Sequence, residues 1–354
     1  PRSTLSSSSA ASDVYKRQIY SWRLAYGTVF RPSEPRRNVL ILGDGTISES
    51  IIPGLKTDTE FRLTAIMDKR LVKEMLAKEV DAGGRTALER YVAQNKINDI
   101  VVSLDADNSS QLERALVNCR MMGIGCYTFE AFYERLFEKL PVLMLNDRWF
   151  LISEGFDTLG SKSYKALKRA ADSIAASLIL LVTLPISLIV AILIPLTSRG
   201  SAFFTQHRLG AGKVPFKIIT FRTMVRDAEA NGPQWAQNND GRVTWLGKVL
   251  RKTRIDELPQ LINVLIGEMS LIGPRPEREH FVDQLTEKIP FYALRFFVKP
   301  GVTGWAQVRF RYGLDEKDAL EKLRYELYYI KNQSLALDAR ILMKTIRVVL
   351  TGQG

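Results

Sequence analysis

The chain has 354 residues, and its 50 lysines and arginines exceed its 38 acidic residues by 12. This length favours two domains, and the basic balance favours an anionic partner: nucleic acid, a phosphorylated metabolite or an anionic membrane surface. Only two histidines and two cysteines are present, which argues against a multi-histidine metal site or a disulfide scaffold and leaves carboxylates, lysines and arginines for catalysis.

The first 35 residues predict a disordered leader followed by a juxtamembrane stub. Residues 1–18 are polar, rich in serine and without an apolar period, so we expect them to be disordered. Ile19–Phe30 mixes tryptophan, tyrosine and phenylalanine with Arg23, a composition typical of a membrane interface.

Residues 36–150 predict an α/β domain. Short apolar strands are expected at Val39–Leu42, Phe61–Met67, Asp99–Leu104 and Gly125–Phe129, with helices near Thr86–Asn95 and Ser110–Met122. This alternation predicts a Rossmann-like, nucleotide-binding-like domain. The phosphate fingerprint is incomplete, because Gly43 and Gly45 are followed by Ser48 where a third glycine would fall. A structural or regulatory role is therefore favoured over ligand binding.

An apolar segment follows, and no charged residue occurs between Ser173 and Ser198. The segment is long enough to span a bilayer. However, Pro185 lies in its middle, where proline removes a helical hydrogen bond, and basic residues flank both ends. Because basic flanks favour the cytoplasm, we expect a re-entrant helix over about 165–198 that breaks at Pro185 and returns by the same face.

Arg251–Pro276 carries the strongest chemical signal. Asp256 and Glu257 stand between a basic run and an apolar pattern with helical spacing, over Leu258–Ile266. We expect Thr253 to cap this helix, so that the acidic pair lies at its positive end and stays ionised. The Pro274-Arg275-Pro276 turn would present its guanidinium rigidly to a phosphate or carboxylate.

The remaining segments predict supporting structure. The stretch after the apolar segment is basic, and its arginines could face headgroups and substrate phosphates. Two C-terminal helices, Asp315–Lys331 and Leu335–Leu350, are expected to serve as packing or partner surfaces.

These motifs together resemble the bacterial sugar transferases, the monotopic polyprenyl-phosphate phosphoglycosyl transferases. RIDELPQLINVLIGEMSLIGPRP (254–276), QHRLG (206–210), FRTM (221–224) and KPGVTGWAQV (299–308) are similar to that family's motifs in order. The tail at 312–338 is most similar to the exopolysaccharide subfamily associated with exosortase/PEP-CTERM systems. One departure is Thr220, where the family usually has lysine, and Lys217 could compensate for it.

The resemblance implies an architecture and an activity. It implies a membrane-associated, mainly α catalytic domain over 160–354. Large members usually begin with transmembrane helices, and we expect none in this chain before residue 36. The implied reaction moves a sugar-1-phosphate from a UDP-sugar to undecaprenyl phosphate and releases UMP, as the first step of exopolysaccharide synthesis. The expected location is the cytoplasmic face of the inner membrane, with membrane lipids as partners, a possible homodimer and no nucleic acid.

The resemblance also implies roles for individual residues. Asp256 would be the nucleophile that carries a covalent phosphosugar, and Glu257 would hold Mg²⁺ beside it, so both are candidate metal ligands. Substrate-binding roles are expected for Arg208, Arg222, Arg251, Pro274, Arg275, Pro276, Gln307 and Arg311.

Two alternatives remain open from the residues. A membrane-anchored, nucleotide-sensing scaffold would need Gly43 and Gly45 but could lose Asp256 and Glu257. A direct, single-displacement transferase would show no covalent intermediate, although enzymes of that kind have many spanning helices and this chain has one apolar segment.

Overall fold

The computed structural model describes residues 36–43, 45–78, 80–81, 84–103, 110–225, 228, 240–310 and 315–351. The predicted leader and stub, 1–35, lie outside the described residues. The chain divides after Phe132 into two compact units, which are taken separately below.

The first unit contains a four-stranded parallel sheet with the strand order β2-β1-β3-β4. Its elements are β1 (Arg37–Gly43), α1 (Gly45–Thr57), β2 (Phe61–Met67), α2 (Lys69–Ala77), α3 (Ala87–Gln94), β3 (Asp99–Ser103), α4 (Ser110–Met121), β4 (Gly125–Thr128) and α5 (Phe129–Phe137), the last of which continues past the division. The four predicted strands and two predicted helices are confirmed to within a residue or two, except that Leu104 is not described.

Local chemistry explains these elements. Thr86 caps α3 by accepting from the Glu89 N–H, and the Glu89 side chain accepts from the Thr86 N–H in return. Arg37 forms a two-bond ion pair with the buried Asp99, which joins β1 to β3 at their starts. Helices α1 and α2 were not predicted from the sequence, although α2 has a regular apolar face; in α1 the internal Pro53 weakens the helical signal.

The strand order differs from that of a dinucleotide-binding Rossmann half. In that fold the second strand lies between the first and third, whereas here β1 lies between β2 and β3, as in flavodoxin-like sheets. Gly43 has a packing reason to be glycine, since a Cβ there would lie 2.6 Å from the Ser103 Cβ. A glycine at this strand end therefore does not require a phosphate ligand.

The second unit is a mixed structure with more helix than strand. Its elements are α6 (Asp147–Ile152), α7 (Asp157–Gly160), α8 (Lys162–Thr197), β5 (Phe203–Leu209), β6 (Pro215–Phe221), α9 (Trp245–Thr253), α10 (Gln260–Ile266), β7 (Ser270–Ile272), α11 (Glu279–Lys288), β8 (Gly301–Thr303), α12 (Trp305–Arg309), α13 (Glu316–Lys331) and α14 (Leu335–Thr351). Strands β5 and β6 form an antiparallel hairpin, and β7 and β8 pair in parallel. Short 3-10 turns occupy Val142–Met144, Ala211–Lys213, Ile255–Glu257 and Tyr292–Phe297.

The segment 133–150 packs within the second unit, although the sequence analysis gave it to the first domain. The Leu140 N–H donates to the Arg324 carbonyl at 3.0 Å. Lys139 and Glu134 form ion pairs with Glu321 and Lys331 of α13. Leu140 is fully buried in the same apolar core as α13.

Helix α8 continues without interruption through Pro185 and Pro195. The predicted helix-break-helix is therefore not seen as two helices. Proline removes only its own N–H from the ladder, and neighbouring side chains add bonds, such as that from the Thr183 hydroxyl to the Ile179 carbonyl. Among the described helices, α8 is the one whose length and apolar composition could cross a membrane.

One face of α8 packs against the rest of the second unit at two places along the helix. Ala176 lies in the main core of that unit, while Val190 and Ile194 contact Phe221 and Leu250. The opposite face exposes large apolar side chains: Ile174, Leu178, Leu181, Val182, Leu188, Ile189, Ile192 and Leu196. An apolar exposed surface of this extent marks a membrane or partner contact.

Candidate active site

A cavity of about 720 Å³ lies between the β5–β6 hairpin, the turn after α9 and the segment after β7. Its charged lining residues, among those the structure describes, are Arg208, Arg222, Arg242, Arg251, Asp256, Glu257, Arg275, Glu277, Arg278 and Lys322. Seven cations surround three carboxylates, so the cavity favours an anionic ligand.

The hairpin supplies one wall through strand alternation. Phe204, Gln206 and Arg208 of β5 line the cavity, together with Ile218 and Thr220 of β6. Their partners in the ladder are consistent with one shared face, since Phe204 pairs with Thr220 and Gln206 with Ile218.

Strand alternation also shows whether Lys217 can replace the lysine that the family usually has at the position of Thr220. Lys217 is three residues from Thr220 and therefore points to the opposite face of β6. It does not line the cavity, so the expectation that Lys217 compensates for Thr220 is wrong. The lysine that does line the cavity is Lys322, from α13.

The acidic pair lies in a 3-10 turn, not in the first turn of a helix. Helix α9 ends at Thr253, and Arg254 has φ 57°, which reverses the chain into the turn Ile255–Glu257. Helix α10 begins later, at Gln260, after Pro259. Thr253 bonds back to carbonyls within α9 and does not cap α10, so the predicted cap is wrong.

A buried amide holds the following helix to the hairpin. The Asn263 side chain accepts from the Ile219 N–H at 3.1 Å and donates to the Lys217 carbonyl at 2.8 Å. Asn263 thereby completes the β6 hydrogen bonds that the hairpin leaves open. The turn bearing Asp256 is fixed beside β6 as a result.

Burial, and then the neighbouring Glu257, raises the pKa of Asp256 from 3.8 to about 6. Arg275 and Arg251 act in the opposite direction. The sequence predicted that a helix dipole would keep this carboxyl ionised. Without that helix terminus, ionisation near neutral pH depends on the surrounding arginines or on a bound cation.

Glu257 is held by two arginines. Arg275 Nη2 lies 2.8 Å from Glu257 Oε1, and Arg254 Nη1 lies 3.5 Å from the same oxygen. The Arg275 carbonyl in turn accepts from Arg295 at 2.7 Å. Arg275 is thus fixed at its backbone and at its side chain, as the two flanking prolines predicted for its backbone.

Arg251 and Arg222 differ in what they contact. Arg251 donates from Nε to the Thr223 hydroxyl at 2.9 Å, which places its guanidinium in the cavity wall near Asp256. Arg222 donates to the Ser198 carbonyl at 2.6 Å, the Ser198 hydroxyl and the Arg199 carbonyl, all at the C-terminal end of α8. Arg222 therefore anchors the apolar helix at the rim of the cavity, a role that the sequence did not predict.

Gly200 makes this anchor possible. It has φ 126°, which favours glycine, and a Cβ at this position would lie 2.1 Å from Arg222 Nη1.

The structure brings most of the predicted residues together. Arg208, Arg222, Arg251, Asp256, Glu257, Arg275 and Pro276 line one cavity. Pro274 precedes it, and its carbonyl accepts from the Gly301 N–H. Gln307 does not line the cavity and donates to the Val302 carbonyl. Arg311 lies outside the described residues.

Several lining residues were missed from the sequence. Gln260, Glu277, Arg278 and Lys322 all line the cavity. The first three follow predicted site residues closely in the chain, and that proximity could have suggested them. Lys322 had no such signal, because the sequence predicted a packing or partner surface for the helix that carries it.

The residues present fit a magnesium ion that substrate helps to bind. Asp256 and Glu257 line the cavity together. Burial and then repulsion from Glu257 raise the pKa of Asp256, and a divalent cation would relieve that repulsion. Mg²⁺ commonly takes one or two carboxylates plus substrate phosphates. Within the described ranges, no cluster of three His, Cys, Asp or Glu forms an all-protein site.

Comparison with known proteins gives a family match over the part of the chain that contains the cavity. The sequence pattern of the family described as "Bacterial sugar transferase" matches residues 163–352. The UDP-N-acetylgalactosamine-undecaprenyl-phosphate N-acetylgalactosaminephosphotransferase of Aeromonas hydrophila is 44% identical over 250 residues, covering 71% of this chain and 58% of that protein.

The chain covers very different shares of two further relatives. The UDP-glucose:undecaprenyl-phosphate glucose-1-phosphate transferase of Escherichia coli K12 is 34% identical over 75% of this chain and 57% of that protein. The exopolysaccharide production protein PSS of Rhizobium leguminosarum is 39% identical over 53% of this chain and 98% of that protein. The chain thus spans less than three fifths of the length of the Aeromonas and Escherichia relatives.

Proposed function

Because the chain belongs to the bacterial sugar transferase family, we propose that it transfers a sugar-1-phosphate from a UDP-sugar to undecaprenyl phosphate. The observation that carries this proposal is the Asp256–Glu257 pair, half-buried among arginines in a cavity that adjoins an apolar helix. The names of the relatives support both substrates.

In the first displacement, an Asp256 carboxylate oxygen attacks the β-phosphorus of the UDP-sugar. An acyl-phosphate O–P bond forms, the bond from the β-phosphorus to the bridging oxygen breaks, and its electron pair leaves with UMP. Arg251 and Arg275 line the same cavity and would hold the phosphate oxygens.

In the second displacement, a phosphate oxygen of undecaprenyl phosphate attacks the phosphorus carried by Asp256. The new phosphoanhydride bond forms as the acyl-phosphate bond breaks, which regenerates the carboxylate and yields the undecaprenyl-diphosphate sugar. Dividing the reaction means that undecaprenyl phosphate never attacks the UDP-sugar directly, because Asp256 carries the phosphosugar between the two steps. The cations that line the cavity offset the charge of the attacking groups in both steps.

Asp256 and Glu257 would hold Mg²⁺, which shields diphosphate charge and stabilises the departing phosphate. Glu257 keeps its orientation through Arg275 and Arg254. Asp256 itself must be ionised to attack, so the cations near it serve to keep it deprotonated.

We further infer that α8 enters the cytoplasmic leaflet of the inner membrane and does not cross it. Both ends of its packed face contact the same unit, near Ala176 and near Val190. A helix held to one unit at both ends is hard to reconcile with a crossing that separates those ends. Pro185, within the exposed apolar stretch, is where the helix can bend.

Epitope tags test this topology. A tag within residues 36–150 and a tag at the C-terminus should both be accessible only from the cytoplasm, and Pro185→Leu should favour spanning because it restores the missing N–H. A C-terminal tag that is accessible only from the periplasm would contradict the inference.

A panel of UDP-sugars tests the activity. The protein in nanodiscs should release UMP from at least one UDP-sugar, and undecaprenyl phosphate should convert a limited release into continuous turnover. Absence of UMP release from every donor, with acceptor and Mg²⁺ present, would refute the proposed function.

A further inference from the structure

The β5–β6 hairpin runs along one wall of the cavity, so positions on its strands locate the two ends of the cavity. Phe204 pairs with Thr220 at one end of the hairpin wall, and Arg208 pairs with Phe216 nearer the other. Four residues along an antiparallel strand cover ~14 Å. Groups beside Phe204 and groups beside Arg208 therefore lie in different parts of the cavity.

The Phe204 end carries exposed aromatic side chains and joins the apolar helix, with Arg222 and Arg251 beside them. Phe203 stacks on Phe221 with ring centroids 5.2 Å apart, and Phe221 packs against Val190 and Ile194 of α8. Phe203 and Phe204 remain 46% and 43% exposed. An exposed aromatic surface that is continuous with a membrane helix suits a lipid chain.

The Arg208 end is cationic. The Leu209 N–H donates to the Glu277 carbonyl, and Arg208 lies 3.7 Å from the Glu277 carboxylate, so the segment after β7 closes this end. Arg278 and Lys322 line the cavity here. Lys322 also borders a small recess that includes Glu277 and Glu326, which fixes its position at this end.

The reacting carboxylate lies between the two ends. Arg251, which bonds to Thr223 just after β6, faces Asp256 from the Phe204 side. Arg275, which precedes Pro276 and Glu277, faces the acidic pair from the Arg208 side. A donor and an acceptor that approach from opposite ends would both reach Asp256.

We propose that the Arg278–Lys322 end binds the nucleotide part of the UDP-sugar, and that the Phe203–Phe204 end admits undecaprenyl phosphate. This inference rests on the proposed function and assigns its two substrates to different residues. Lys322 becomes a nucleotide-binding residue contributed by α13, a helix whose sequence indicates a packing or partner surface. The undecaprenyl chain is the apolar part of the two substrates, which matches the aromatic surface beside α8, and the Arg208 end carries the cations that a nucleoside diphosphate needs.

Binding of UMP to the full chain in nanodiscs tests the assignment. Lys322→Gln should weaken UMP binding about tenfold, as loss of one charge-assisted contact predicts, and Arg278→Gln should act in the same direction. Lys317→Gln is the matched control, since Lys317 is exposed on the same helix. Thermal unfolding of each variant verifies that it is folded.

Steady-state kinetics tests the other end. Phe204→Ala should raise the KM for undecaprenyl phosphate severalfold and leave UMP affinity unchanged, whereas Lys322→Gln should leave that KM unchanged. Equal UMP affinity in wild type, Lys322→Gln and Arg278→Gln would overturn the inference while UMP release still upholds the proposed function. A wild-type protein that neither binds nor releases UMP would overturn both.

Discussion

Asp256→Asn should lower turnover by roughly a thousandfold or more, because it removes the oxygen charge that attacks the β-phosphorus. Asparagine has nearly the same shape, so the turn Ile255–Glu257 and the bond between Arg275 and Glu257 should persist. The measurement is UMP release from the preferred UDP-sugar, with thermal unfolding as the check on folding.

Wild-type protein without acceptor should release UMP in an amount below one equivalent and retain phosphosugar on Asp256. Glu257→Gln is the control, and it should slow the reaction or weaken its metal dependence without moving the attachment. Phosphosugar found on Glu257 would exchange the two roles. UMP release that requires undecaprenyl phosphate would favour direct transfer.

The pH dependence follows from the same carboxyl. Burial and Glu257 raise the pKa of Asp256 to about 6, and only the deprotonated form attacks. At low Mg²⁺ concentration, UMP release by the wild-type protein should therefore fall as the pH is lowered through about 6. At saturating Mg²⁺ concentration, the same fall should occur at lower pH, because a bound cation stabilises the deprotonated carboxylate. A rate that is independent of pH between 5 and 7 would contradict this.

Glu326→Gln should destabilise the second unit by about 3–5 kcal/mol, because it leaves Arg295 charged and buried without its partner. The two side chains are only 4–5% exposed, and Arg295 Nη2 lies 2.8 Å from Glu326 Oε1. Arg295 also donates to Tyr292 and to the Arg275 carbonyl. A loss of that size should lower the melting temperature by roughly 10 °C.

Glu316→Gln is the matched control for this second prediction. Glu316 pairs with Lys288 at the exposed start of the same helix, and an exposed pair contributes little. If Glu326→Gln is folded at 25 °C, its UMP release should also fall, since Arg295, which donates to the Arg275 carbonyl, loses the ion pair that fixes its position. Equal melting temperatures for the two variants would show that the Arg295–Glu326 pair does not support the unit.

The sequence by itself determined most of the local elements and the position of the acidic pair. The four strands of the first unit have alternating or continuous apolar runs, and the long apolar helix and the acidic pair stand out because their signals lie within a few neighbouring residues. The same holds for the Pro274-Arg275-Pro276 turn, since proline restricts its own backbone. Patterns of this kind can be recognised in the sequence without knowledge of the fold.

Only the tertiary structure decided how distant segments share the site. The left-handed Arg254 ends α9 and leads into the 3-10 turn that carries Asp256, so this residue lies before the start of α10 at Gln260. Strand alternation turns Lys217 away from the cavity, and the packing of α13 brings in Lys322. The first unit's strand order and the anchoring of α8 by Arg222 likewise depend on contacts between residues far apart in the chain. Sequence patterns record which face of an element is apolar, but not which other element covers it, and for that reason these features required the structure.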